Sequence, residues 1–225
     1  MLSLQATCLL LLTSVMGAPT SLSALQSSSF NDLTRSLAPS CPLGNFQIPL
    51  PSGLTLSPGQ QVKFATVGRG TQNYTCTNGA FVSSGAVADL YDVSCLFKVT
   101  APFIPTATLS KWLPIIALNS LPFPGPAALP LALDHYFIAT PDSASGISPV
   151  FASSTDRIVA KRDASVPAAN ASVNVPYVKL IAIDGQGTLA ETVFRLDTAN
   201  GQPPSTCSGS ETITVQYAAM YYLTK

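Results

Sequence analysis

Short apolar runs that alternate with turn signals constrain the fold of this chain more than any other feature. Clusters of glycine, proline and asparagine separate the runs, and Asp184-Gly185 stands between two of them, which favours a hairpin. No long segment has the 3.6-residue periodicity of an amphipathic helix. The pattern therefore predicts an all-β fold, an antiparallel β-sandwich or barrel of roughly 8–10 strands. The expected strands are 61–67, 71–76, 86–99, 135–139, 149–152, 157–161, 177–183, 191–197 and 211–223.

One insert interrupts the strand pattern. Residues 101–134 contain a helix candidate at 108–118, interrupted by Pro114, and then a proline-rich run. A long insert inside a compact domain is often functional. This one is also apolar, with Trp112 and two isoleucines. Two interpretations stay open: the insert covers one end of the sheet as a lid, or it offers an apolar surface to a partner or ligand.

The first 17 residues have the features of a secretory signal. Their apolar run is too short to span a bilayer, and the small residues Val15 and Gly17 precede a cut before Ala18. We therefore expect a secreted, extracellular protein with residues 1–17 removed. Residues 18–40 would form a flexible arm and residues 41–225 a single β-rich domain. No later segment reaches about 18 uninterrupted apolar residues, so we expect no membrane span.

Removal of the signal would leave an even number of cysteines, as a disulfide framework requires. They are Cys41, Cys76, Cys95 and Cys207. Four cysteines permit three pairings. We favour Cys76–Cys95 together with Cys41–Cys207, because the second bridge would tie the first strand region to the last. A metal site is disfavoured because the chain has no CxxC spacing and only one histidine.

The low charge of the chain limits its partners. Eleven basic residues balance eleven acidic ones, and charged residues make up 10% of the sequence. Nucleic-acid binding needs Lys and Arg to neutralise phosphates, so it is disfavoured, as is electrostatic attachment to an anionic membrane. Sequons at Asn73 and Asn170 instead predict a glycoprotein with a surface of hydroxyls and glycans.

Strand alternation gathers a few polar side chains on one face. If the sequon asparagine between them points outward, Gln72 and Tyr74 point inward. Arg195 shares a face with Asp197, and a covered arginine needs a partner charge. The candidate polar cluster is therefore Gln72, Tyr74, His135, Arg195 and Asp197. It is either a satisfied structural network or a binding site.

Several strings together resemble the family catalogued as domain of unknown function 3455. Coverage runs from about residue 41 to residue 222, and the order and spacing are most similar to secreted fungal members. The resemblance implies no catalytic residues, because the family has no catalytic assignment that could be transferred to this chain. Some of its members carry the name malate dehydrogenase, which the residues here do not support. The strings are GTQNYTC (70–76), GAVADLYDVSC (85–95), HYF (135–137), PVF (149–151), VPYVKL (175–180), FRLDTANGQPPSTC (194–207) and VQYAAMYY (215–222).

The dehydrogenase interpretation fails on one motif. Gly68-Arg69-Gly70 imitates the start of a dinucleotide fingerprint, but the third glycine is missing and a strand pattern follows instead of a helix. We interpret the glycines as a tight turn between two strands and expect no cofactor. Catalytic residues stay unknown, because the chain has no GxSxG motif and its one histidine permits few triads.

The sequence thus predicts a secreted, disulfide-stabilised β domain. We expect an extracellular or cell-wall binding or structural module rather than an enzyme, with a cell-wall polysaccharide or an extracellular protein as its partner. The alternative is a hydrolase or lyase acting on an extracellular polymer, with His135 or a pair of carboxylates in a cleft.

Overall fold

The computed structural model describes residues 41–125 and 129–225. The predicted signal and arm lie outside these residues. Within them, eight antiparallel strands form a closed barrel in which each strand pairs with its neighbours in the chain and the last pairs with the first. The prediction of an antiparallel β fold is confirmed, with a barrel as its architecture. The strands are β1 (Val62–Thr77), β2 (Ala80–Asp92), β3 (Leu131–Ala139), β4 (Ile147–Ala152), β5 (Arg157–Val166), β6 (Tyr177–Gly187), β7 (Thr192–Asn200) and β8 (Thr212–Thr224).

Strand β1 is continuous through the glycine motif, so the predicted turn there is wrong. Both glycines face the inside of the barrel, where a side chain would not fit. A Cβ on Gly68 would lie 2.6 Å from the ring of Tyr221, and one on Gly70 would lie 2.0 Å from the carbonyl oxygen of Val87. The glycines therefore permit close approach of neighbouring groups inside the barrel.

Two helices follow β2, namely α1 (Ser94–Thr100) and α2 (Thr106–Ser120). The predicted helix at 108–118 is confirmed, but the strand predicted at 86–99 ends at Asp92. The carboxylate Oδ1 of Asp92 accepts a 2.7 Å hydrogen bond from the Ser94 backbone N–H and so satisfies a donor at the start of α1. No helix among the described residues is long and apolar enough to cross a bilayer.

The fold has two apolar cores. The inner core lies inside the barrel and includes Leu90, Phe151 and Val193. The outer core lies between the barrel wall and a layer formed by α1, α2 and the extended segment that precedes β1, with Phe97 and Met220 buried in it. Helix α2 contacts β1, β7 and β8. The insert therefore covers the outer wall of the barrel, and the interpretation of it as a lid over one end is wrong.

Both disulfides differ from the pairing that we favoured. Cys41 bonds to Cys95 and Cys76 to Cys207, with Cα separations of 5.0 and 5.8 Å. Strand geometry excludes a Cys76–Cys95 bond. Cys95 lies in α1, next to Ala65 near the beginning of β1, whereas Cys76 lies near the end of that strand, eleven residues further on or about 36 Å at about 3.3 Å per residue. Cys76 instead adjoins the β7–β8 connection, where its N–H donates to the Glu211 carbonyl oxygen at 2.7 Å.

Candidate functional site

Strands β1, β3, β7 and β8 place six polar or aromatic side chains inside the barrel. We call this set the barrel cluster. Four were predicted from the sequence, and two tyrosines of β8 join them. Most of them are buried, with only 5% of Gln72 and 3% of His135 exposed, whereas Arg195 is partly exposed. The members are Gln72, Tyr74, His135, Arg195, Tyr217 and Tyr221.

Asp197 does not belong to this cluster, so its predicted pairing with Arg195 is wrong. The strand register shifts between Leu196 and Ala199, and Asp197 itself has a φ of +46°. This irregularity ends the alternation and turns the carboxylate to the outer wall. There it accepts a hydrogen bond from the Ser110 hydroxyl of α2. Burial raises the pKa of Asp197, while the Ser110 hydrogen bond opposes that rise.

The two tyrosines of β8 form the centre of the cluster. Both side chains are fully buried, and their hydroxyl oxygens lie 2.7 Å apart in a mutual hydrogen bond. Burial raises the pKa of both Tyr217 and Tyr221, so both hydroxyls are protonated at neutral pH. We did not predict them. The period-two pattern of β8 could have found them, because positions 217 and 221 share one face of a strand.

Tyr74 connects the cluster to the segment that follows β7. Its hydroxyl donates a 2.7 Å hydrogen bond to the carbonyl oxygen of Gly201, just after β7. Burial raises the pKa of Tyr74 to about 12. Gly201 has a φ of +103°, and a Cβ there would lie 3.0 Å from both Tyr217 and Val175. The backbone of this segment is thus closely packed.

His135 is enclosed by aromatic rings. Its ring stacks on Phe151 with centroids 4.4 Å apart, and its Nδ1 lies 2.9 Å from the carbonyl oxygen of Val150. Burial lowers the pKa of His135 to about 4, and the positive charge of Arg195 lowers it further, against the effect of the Val150 hydrogen bond. A neutral ring that donates from Nδ1 fits this environment. So enclosed a ring is poorly placed to exchange protons with a polymer outside the barrel.

Arg195 is the charged member of the cluster and lies at its exposed side. One Nη donates a 3.0 Å hydrogen bond to the carbonyl oxygen of Pro176, just before β6. Its Nε is buried and makes no hydrogen bond to any residue that the structure describes. The charge acts on Tyr74 and on the two tyrosines of β8. Among residues 41–125 and 129–225, no carboxylate forms an ion pair with this guanidinium.

Gln72 adds a second unmatched donor. Its amide faces the hydroxyl of Tyr217, but Nε2 makes no hydrogen bond within the described part of the chain. A buried donor without a partner is costly, at about 1–3 kcal/mol. Two such donors in one cluster are therefore unusual in a purely structural network.

The helical layer that covers the outer wall presents an apolar surface to the outside. We call the exposed side chains of Val99, Phe103, Trp112, Ile115 and Ile116 the helical surface. Phe103 is 84% exposed, and Trp112 is 53% exposed. Trp112, Ile115 and Ile116 share one face of α2 because of their spacing. The sequence from residue 93 to residue 133 contains no acidic residue.

The remaining predicted features lie elsewhere. Asn73 is between two inward residues of β1 and so points outward, while Asn170 lies exposed in the β5–β6 connection. Glycosylation of either asparagine stays a prediction.

A cleft of 360 Å³ near the start of β1 includes Lys63, Asp92 and Lys225 among its lining residues, away from the barrel cluster. Across the described residues, no group of three His, Cys, Asp or Glu side chains could hold a metal ion.

Comparison with known proteins identifies the family. The sequence matches the family described as "Protein of unknown function (DUF3455)" over residues 57–225, which include all eight strands of the barrel. No curated protein and no solved structure matches the chain. Because the match covers most of the sequence, this disulfide-stabilised β-barrel belongs to the DUF3455 family.

Proposed function

We propose that the protein is an extracellular binding module and that the barrel cluster holds its ligand. The signal features, the sequons and the two disulfides support an extracellular location. Closed eight-stranded barrels are wide enough to hold side chains or one small ligand. The observation that carries the proposal is Arg195, a partly exposed guanidinium with a free Nε and no carboxylate beside it in the described chain.

The geometry favours binding over catalysis. The hydrolase or lyase alternative relied on His135 or on a pair of carboxylates in a cleft. His135 is almost fully buried with a pKa lowered to about 4, and Asp197 faces the outer wall. In the part of the chain that the structure describes, the barrel cluster contains no carboxylate. What it offers a ligand is a positive charge and hydrogen-bond donors.

A thermal-shift screen of the mature secreted protein tests this proposal. The panel contains neutral cell-wall sugars, acidic sugars and small organic acids. A ligand at 100 times its dissociation constant stabilises the folded state by about 2.7 kcal/mol, which raises the Tm by several degrees. We expect a ligand from this panel to raise the Tm of the wild type.

A matched pair of variants locates the site. Arg195→Gln removes the charge of the cluster, and Arg162→Gln removes the same charge from an exposed position on β5. We expect the shift to disappear in the first variant and to persist in the second. Circular dichroism and the ligand-free Tm of each variant verify that it folds. A panel that leaves the wild-type Tm unchanged, or a shift that survives Arg195→Gln, would refute the proposal.

The helical surface supports a second candidate function, contact with an extracellular protein. Interface cores are rich in aromatic residues and poor in charge, and tryptophan is a frequent hot spot. The helical surface has this composition: it contains Trp112, and two exposed aliphatic residues, Ile115 and Ile116, lie on the same helix face. Ile115 and Ile116 cannot stack on sugar rings as aromatic side chains do, so the surface fits a protein better than a polysaccharide.

Trp112 is the only tryptophan in the chain, which permits a direct test. Protein labelled with 5-fluorotryptophan gives one ¹⁹F signal, and we would titrate it separately with protein and polysaccharide fractions of the extracellular matrix. We expect the signal to shift and broaden with the protein fraction only. The effect should weaken in Ile116→Ser but not in Val82→Ser, an exposed valine on β2. A signal that is insensitive to the protein fraction contradicts this function.

A further inference from the structure

We infer that the ligand of the barrel cluster carries a carboxylate, which pairs with Arg195 and accepts a hydrogen bond from Nε2 of Gln72. This inference rests on the proposed function, because it names the ligand class of the same site. Three observations support it: the kind of polar atom in the cluster that lacks a partner, the charge of the cluster, and the number of cations that could contact a bound anion.

The unmatched atoms in the cluster are all donors. Among the described residues, the buried side-chain atoms without a hydrogen-bond partner are Nε of Arg69, Nε2 of Gln72 and Nε of Arg195. Arg69 points to the outer wall of β1, where it donates to Gln216, so it belongs to another region. The two unpartnered atoms of the cluster itself are therefore both donors, and a ligand that supplies acceptor oxygens would pair with them.

The charge of the cluster also calls for an anion. Arginine stays protonated in proteins, whereas the surrounding groups are neutral. Tyr217 and Tyr221 keep their protons because burial raises their pKa, and His135 is neutral because burial lowers its pKa. A guanidinium is partly desolvated here without a compensating charge from the described chain. A bound anion would supply that charge.

A carboxylate fits the site better than a phosphate. A guanidinium offers a planar pair of N–H donors that matches the two oxygens of a carboxylate. A phosphate carries up to two charges and usually recruits several cations, but Lys179 on β6 is already paired with Asp163 at 2.9 Å. One arginine and one amide donor match a single negative charge.

Carboxylates of this kind come from two sources, acidic sugars of extracellular polymers and free organic acids. Calorimetric titration with four probes separates them: galacturonate, its neutral methyl ester, polygalacturonate and lactate. We expect galacturonate or lactate to bind at least tenfold more tightly than the ester. Binding of polygalacturonate would assign the site to a polymer, and binding of the free acids alone would assign it to small organic acids.

Variants test the assigned roles. Arg195→Gln should abolish acid binding, while Arg162→Gln should leave it unchanged. Gln72→Leu should weaken acid binding about tenfold and leave the Tm of the free protein unchanged or higher, because the lost Nε2 has no partner in the described protein. Equal affinity for galacturonate and its ester would overturn the carboxylate assignment and leave the proposed binding function intact. Tight binding of a neutral sugar alone would do the same, whereas no binding of any sugar or acid would refute the proposed function itself.

Discussion

The buried histidine gives a quantitative prediction about stability at low pH. The pKa of His135 falls from 6.5 to about 4 in the folded protein, mainly because burial disfavours the charged ring. In the unfolded chain the ring is exposed and binds a proton below pH 6.5. Protons therefore favour the unfolded state as the pH falls from 6.5 to 4. Below pH 4 the folded protein also becomes protonated, and this contribution to the loss of stability ends.

The size of the effect follows from the difference between the two pKa values. Each pKa unit corresponds to about 1.36 kcal/mol, so the wild type should lose about 3 kcal/mol of stability between pH 7 and pH 4 through this group alone. His135→Gln removes the titrating ring and keeps a donor for the Val150 carbonyl oxygen. Other groups titrate in both proteins, so the difference between the two pH profiles isolates His135.

Urea unfolding at pH 7 and pH 4 measures this difference. We expect the free energy of unfolding of the wild type to fall by about 3 kcal/mol more than that of the variant. His135 is the only histidine, so one pair of imidazole NMR signals reports its protonation directly in the wild type. A midpoint near 6.5 in the folded protein, or parallel pH profiles for the two proteins, would refute the assignment of a buried neutral ring.

Three further predictions concern the framework of the barrel. Gly70→Ala should lower the free energy of unfolding by about 3 kcal/mol in urea titrations, because its Cβ would lie 2.0 Å from a carbonyl oxygen of β2; a change below 1 kcal/mol would contradict the close approach. Replacing Cys76 and Cys207 together by serine should cost about 5 kcal/mol in the chain-entropy model, since the bridge spans 131 residues; calorimetry that finds an unchanged Tm would contradict this pairing. Ser110→Ala should cost about 1–3 kcal/mol at pH 7, because Asp197 loses its donor, and Asp197→Asn should restore much of that loss in the double variant; additive losses would argue against the contact.

The sequence predicted the fold where the backbone is regular. Period-two alternation correctly placed Gln72 and Tyr74 inside, because β1 is extended through both positions. It failed at Asp197, where a register shift and a positive φ end the alternation. Such an irregularity depends on how β7 fits between its neighbours in the closed barrel. The local sequence therefore could not predict which side Asp197 faces.

The disulfide pairing depends on contacts between distant parts of the chain. Three pairings of four cysteines agree with the sequence, and only the order of strands around the barrel distinguishes them. Cys76 adjoins Cys207 because β1 pairs with β8, and this closure has no local signal. Similarly, the period-two pattern of β8 places Tyr217 and Tyr221 on one face, but only the arrangement of β3, β7 and β8 around the same space shows that this face belongs to the site. The prediction of the site applied the alternation to β1 and β7 but not to β8, and so missed these two tyrosines.

The pairing of the first and last strands has a consequence for how the protein is made. Strand β1 emerges early during synthesis, but its hydrogen-bonding partner β8 is complete only at Thr224. The backbone groups on that side of β1 stay unpaired until β8 has been produced. A chain truncated before β8 would have two open edges, on β1 and β7, where the complete barrel has none. Premature termination should therefore yield a protein that recruits strands from other chains and aggregates, rather than a smaller barrel.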